Sequence, residues 1–251
     1  MMFLVSFLFF FFPLEAYQEA SLQQANQYYE NGLRASTFQE RKNAFNQALH
    51  LYLSVENAQG SSSKLSQAIA DTYFQLEEYP WSILYYERAK EQNPRNSIIQ
   101  EHLYITQNKL GLTPMKNSRV NDYLLSSYLS FSDKVYMFFF SFLSFVFFMT
   151  IFIWIRTQFT KILSFLTASF VLYSLLNLII SLYIIPIYAI FITSTSLYRA
   201  PSLEEPQLST IPFLAGQKIQ VIDIVHQGYW LKVIDDNHQI GYVPSQSIRI
   251  I

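Results

Sequence analysis

Two apolar runs dominate the hydrophobic pattern of this chain. Val135–Ile155 holds 21 residues without a formal charge, and Ile162–Tyr198 holds 37. An α-helix rises 1.5 Å per residue, so about 20 apolar residues cover a hydrocarbon core of roughly 30 Å. Each run therefore predicts a membrane-spanning helix. The second run is too long for a single span. Pro186 lacks a backbone donor and disfavours helix at Ile185, which places the spans at 135–155 and 162–186. Ser132 is the expected cap of the first span, with Asp133 complementing its positive end. Ser164, Thr167, Ser169, Ser174, Asn177 and Ser181 are polar positions inside the second span. Such residues either bond their own helix backbone or mark a helix–helix contact, and Asn177 is the one expected to face a partner helix.

The pattern changes on either side of the spans. Residues 21–112 have helical periodicity, and 113–134 form a juxtamembrane segment. After Pro186 the chain reads as short strands. Tyr188–Thr195 is rich in β-branched and aromatic residues. Alternation follows in Ile219, Val221 and Ile224, then in Trp230, Leu231 and Val233. Gly216, Gly228 and Gly241 read as turn residues with positive φ.

The N-terminus and the loops give an expected topology. Met2–Phe12 is an apolar run of 11 residues, the length of a signal-peptide core and too short to span, with Ala16 at a plausible cleavage point. Residues 1–16 are therefore read as a signal peptide. The inter-span loop 156–161 carries Arg156 and Lys161 with no acidic residue, which marks the cytoplasmic side. Both flanking segments are then extracytoplasmic.

Composition removes several classes of function. Ser21–Asn117 carries nine basic and nine acidic residues, and Thr195–Ile251 carries four and five. Neither has the basic excess that phosphate binding needs, so no nucleic-acid partner is expected. Cysteine is absent, which excludes disulfides, thiolate metal sites and a Cys nucleophile. His50, His102, His226 and His238 stand at no metal-ligand spacing and read as surface or packing residues. No paired carboxylates or Ser–His–Asp set can be assembled. The expectation is a non-enzymatic protein with no cofactor and no metal.

In the helical segment, Ile69, Ala70, Tyr73, Ser82, Tyr86, Ala89 and Pro94 have the spacing of the tetratricopeptide repeat, a helix–turn–helix with small residues where its helices touch. Ala25, Tyr28, Tyr29 and Gly32, followed by Phe45 and Ala48, resemble an earlier copy. Ser97–Leu110 resembles a closing helix with Leu103 and Leu110 inward. The resemblance implies peptide or protein binding on the concave face, through Asn26, Tyr29, Lys64, Asp71 and Phe74. In the carboxylate-binding variety of the repeat, Lys stands where this chain has Leu22.

The order of AGQKIQV, GYWLKV and GYVP resembles the bacterial SH3-like barrel, over 188–251. That likeness implies a groove containing Tyr229 and Pro244, with Ser247 where ligand-binding relatives often carry Tyr. The fold class expected is a multidomain membrane protein: an all-α tetratricopeptide repeat, two transmembrane helices and an all-β SH3-like barrel. This arrangement resembles the BatE family of bacterial envelope proteins. The resemblance implies a scaffold in the inner membrane, working with MoxR-type ATPases and von Willebrand A-domain proteins in aerotolerance or envelope stress. Its partners would be other envelope or membrane proteins and the lipid bilayer. A cell-wall protein that binds peptidoglycan through the SH3-like module is the alternative.

Overall fold

The computed structural model describes residues 19–113, 128–183, 186–208, 212–235 and 238–251. The expected signal peptide lies outside these residues, as does most of the juxtamembrane segment. The chain folds as two compact units. One gathers the N-terminal helices and the C-terminal sheet; the other contains the two apolar helices and the short segment Lys90–Asn96.

In the first unit, residues 19–34 form α1, followed by α2 (Phe38–Gln59), α3 (Ser63–Gln75), α4 (Tyr79–Gln92) and α5 (Ser97–Lys109). Polar caps fix where the central helices begin. Thr37 accepts from the Glu40 amide at the start of α2, and Ser62 accepts from the Leu65 amide at the start of α3. Gly60 closes α2 with φ 82°, a conformation that L side chains rarely adopt.

Small residues permit close packing. Ala25, Ala48, Ala70, Ser82 and Ala89 are all fully buried, and a Cβ on Gly32 would stand 2.7 Å from the Phe45 ring. Ser82 Oγ donates to the Ala70 carbonyl and Ser63 Oγ to the Ala89 carbonyl, both at 2.9 Å. Ile69, Ile83, Leu84 and Ile99 fill the intervening space with no exposed surface. Each such side chain contributes about 1.5–3 kcal/mol of transfer free energy.

The sheet consists of β1 (Ile187–Phe191), β2 (Lys218–Val225), β3 (Trp230–Ile234), β4 (Ile240–Pro244) and β5 (Ile248–Ile250), in the order β4-β3-β2-β1-β5. Its paired strands β1/β5, β2/β3 and β3/β4 are antiparallel. One face collects Ala189, Phe191, Ile219, Val221, Leu231, Val233, Val243 and Ile248, covered by Leu197. From Ala189 to Phe191, β1 is buried on both faces. Ala189 and Phe191 enter the sheet core, whereas Ile190 enters the helical core, with Ile192 packed against it. That double burial explains why this strand is a continuous apolar run in the sequence.

Helices and sheet thus share one interior. Glu87 on α4 meets Lys218 on β2 at 2.9 Å, and the two side chains are only 6% and 17% exposed. The Lys218 ammonium also sits 4.6 Å from the centroid of the Tyr188 ring. Arg88 donates to the Ile250 carbonyl, and the Arg249 guanidinium lies over Trp81. Gly216, with φ 88°, brings the sheet against Leu110, Ile83 and Leu112; a Cβ there would come within 2.6–2.9 Å of them.

Several sequence expectations change here. Gly241 is a strand residue without positive φ, and it is needed for space: its Cβ would lie 2.4 Å from Leu197. Ile224 remains exposed although its partner Leu231 is buried. A bulge between Val221 and Asp223 shifts the register and ends the regular alternation. The first strand stops at Phe191 because the Ile192 and Thr193 amides turn to the Ser247 carbonyl.

In the second unit, α6 (Phe131–Trp154) and α7 (Gln158–Tyr183) are long and apolar enough to cross a membrane. α6 begins earlier than Ser132 implies. Ser130 is its cap, accepting from the Asp133 amide while Asp133 accepts from the Ser130 amide. This reciprocal pair requires a three-residue spacing, which Ser132 does not have with Asp133.

The polar residues of α7 divide between the two expected roles. Thr167 and Ser169 donate to carbonyls of their own helix. Ser164, Ser174 and Ser181 bond to α6, Ser174 while also donating to the Val171 carbonyl of its own helix. Ser174 meets Ser141 at 2.9 Å, Ser181 accepts from Lys134 at 3.1 Å, and Ser164 donates to the Phe148 carbonyl. Asn177 is buried.

Candidate functional site: an aromatic cleft on the helical layer

A cleft of about 280 Å³ opens among the helices, lined by Tyr29, Asp71, Phe74, Gln75, Tyr86, His102 and Ile105. Tyr29 comes from α1, Asp71, Phe74 and Gln75 from α3, Tyr86 from α4, and His102 and Ile105 from α5. Asp71 and Phe74 are neighbours on one α3 face because side chains three apart project together. Phe74 is half-buried and packs edge-on against Tyr79, with ring centroids 5.6 Å apart. Tyr29 leans on Phe45 at 5.4 Å, so its ring is partly core and partly cleft wall.

A polar cluster forms the floor. The Tyr86 hydroxyl donates to Asp71 Oδ1, and His102 Nδ1 lies 3.0 Å from the same oxygen. Tyr86 is itself almost fully buried. Burial, followed by the Asp71 charge, drives its hydroxyl well above the usual tyrosine range. Tyr29 is pushed up to about 12 by burial and then by Asp71. Tyr52, which donates to Asn26 at 2.6 Å, is raised to about 12, again chiefly by burial. These phenols remain neutral donors at physiological pH, whereas Asp71 supplies a fixed acceptor beside aromatic surface.

Three of the five concave-face residues named from the sequence, Tyr29, Asp71 and Phe74, therefore line one cleft. Asn26 is engaged by Tyr52, while Lys64 is exposed near the start of α3 and outside the lining. Leu22 is half-buried and packs against the helical core. The sequence reading missed Gln75, Tyr86, His102 and Ile105. It carried the inner-face pattern over α1 and α3 but not onto α5, although His102 stands 31 positions after Asp71 on the next helix of the same layer. It used Tyr86 only as a packing residue.

On the sheet, Tyr229 is 69% exposed and Pro244 is half-buried. They lie at one end of the β3/β4 pair, where Trp230 is opposite Pro244 and the Ser245 amide donates to the Tyr229 carbonyl. Ser247 turns inward, donating to the Pro244 carbonyl. Tyr198 packs edge-on against Trp230, so Trp230 has a structural neighbour.

Comparison with family models, curated proteins and solved structures finds no match for the chain. Its chemistry must be read from the residues themselves. An aromatic cleft with one hydrogen-bonded carboxylate can bind side chains. The Tyr86 hydroxyl also lies 3.3 Å from His102 Nδ1, so the three polar groups of the floor form one hydrogen-bonded cluster.

Proposed function

We propose that this protein is a non-enzymatic, membrane-anchored scaffold that holds partner proteins at the bacterial envelope through the cleft on its helical layer. The observation that carries this reading is the convergence of Tyr29, Phe74 and Ile105, from three different helices, around a single recess. Ile105 is 40% exposed, and aromatic and aliphatic groups in such positions anchor protein contacts. The small-residue pattern of the paired helices supports a tetratricopeptide character, and the strand order and turns support an SH3-like one. The two apolar helices supply the anchor, with α1–α5 and the sheet on one side of the membrane because they share a core. Participation with a MoxR-type ATPase and von Willebrand A-domain proteins is the corresponding cellular role, and the extracytoplasmic face is the proposed location.

Photo-crosslinking tests the scaffold reading. Benzoylphenylalanine introduced at Gln75, on the cleft wall, should give protein adducts in intact membranes, whereas the same group at the exposed Lys42 on α2 should not. Equal adducts from both positions, or none from Gln75, would overturn it. The exposed Tyr229 favours a second role, wall binding by the sheet, which predicts co-sedimentation with purified peptidoglycan that Tyr229→Ala abolishes.

A further inference from the structure

We infer that the cleft selects an arginine-bearing peptide segment, with the guanidinium directed at Asp71 and a neighbouring apolar side chain seated between Phe74 and Ile105. This inference rests on the scaffold reading and specifies the partner. Among the described residues, the cleft lining contains one carboxylate and neither Lys nor Arg. Lys64 is two turns away along α3, about 10 Å at the helical rise. An anionic ligand, including a free C-terminal carboxylate, would therefore meet Asp71 with no Lys or Arg in the lining to receive it, and His102 is already turned to the Asp71 carboxylate.

The carboxylate is already oriented. Tyr86 and His102 both approach Oδ1, which fixes the group, and the Asp71 side chain remains 23% exposed and so within reach of an incoming donor. Planar guanidinium suits this setting better than ammonium. It can donate in-plane to a carboxylate while its face lies against the Tyr29 or Phe74 ring. The recess is smaller than the ~300–1,000 Å³ typical of sites enclosing a small molecule. It fits one or two side chains of a longer segment that crosses the helices.

The test uses the full chain in lipid nanodiscs, immobilised, with a random peptide display library as the probe. Enriched peptides should carry Arg within two positions of an aromatic or large aliphatic residue, with Lys less frequent and Asp and Glu depleted. Asp71→Asn retains the Oδ1 acceptor for Tyr86 and His102 but removes the charge. It should weaken an enriched peptide at least 10-fold while leaving the Arg→norleucine version of that peptide unchanged. Ile105→Ala, at a partly exposed position, should weaken both peptides and retain the native melting temperature.

Loss with Ile105→Ala but no effect of Asp71→Asn, or enrichment of acidic peptides, would overturn the arginine assignment and leave the cleft as a binding site. Enrichment insensitive to Ile105→Ala, Phe74→Ala and Asp71→Asn alike, or no enrichment at all, would overturn the cleft reading itself.

Discussion

The Glu87–Lys218 pair gives a direct measure of how firmly the sheet and helices are joined. Replacing Lys218 with Met retains much of the aliphatic stem but removes the ammonium that faces Glu87 at 2.9 Å. At that distance, an effective dielectric of ~20 corresponds to a gross attraction of about 6 kcal/mol, much of it offset by the desolvation of both ions. Breaking one side of a buried pair costs about 3 kcal/mol, against ~0–1 kcal/mol for a solvent-exposed one. The exposures of 6% and 17% place this pair in the first class. Hydrogen exchange read by mass spectrometry on the full chain in nanodiscs gives the opening free energy of each segment. Lys218→Met should lower it by about 3 kcal/mol in both α4 and β2. The double variant Glu87→Gln, Lys218→Met should recover most of that loss, because the uncompensated carboxylate is then gone. A loss confined to β2, or one below ~1 kcal/mol, would refute the shared interior.

Three other outcomes are expected. Ala89→Glu puts a carboxylate into a fully buried helix contact and should lower the stability of the full chain by about 2–4 kcal/mol, read from its denaturation midpoint. Tyr29 and Tyr52 have folded pKa values raised to about 12 from 10, so the stability they lend is complete below pH 10 and is lost as pH climbs through 12. Melting temperatures between pH 9 and 12 should fall less steeply in Tyr29→Phe than in the parent, and identical slopes would contradict this. The chain has no cysteine, so Lys42→Cys and Gln246→Cys create unique, exposed thiols. In intact cells, an impermeant maleimide should label both or neither, since α2 and the sheet belong to one unit; labelling both gives the extracytoplasmic orientation.

The apolar helices and most strands were legible because each depends on a local pattern: uninterrupted hydrophobic length in one case and alternation with turn residues in the other. The small residues at helix contacts were legible for a similar reason, as Ala48, Ala70 and Ala89 stand out among larger neighbours. What the sequence could not reveal was pairing over long separations. Nothing near Glu87 announces Lys218, and nothing near Gly216 announces Leu110 or Ile83. Gly241 looked like a turn residue because a strand glycine required by an approaching leucine leaves the same local trace. Three of the seven cleft residues were named in advance. Tyr29, Asp71 and Phe74 follow from the inner-face pattern that the tetratricopeptide resemblance implies, whereas Tyr86 and His102 depend on how α4 and α5 are set against α3.

The union of α4 with the sheet also governs the order in which the molecule can mature. Lys218 is 131 positions beyond Glu87, and the Ile250 carbonyl is 162 beyond Arg88. At synthesis rates of ~5–20 residues per second, Lys218 emerges roughly 7–26 s after its partner, with both apolar helices made in between. Throughout that interval the surface around Ile83 and Leu110 has no cover, so the nascent helices present an apolar face to chaperones and proteases. A premature stop anywhere before β2 should therefore cost the cell the N-terminal part as well, by degradation, even though every residue of the cleft has been synthesised.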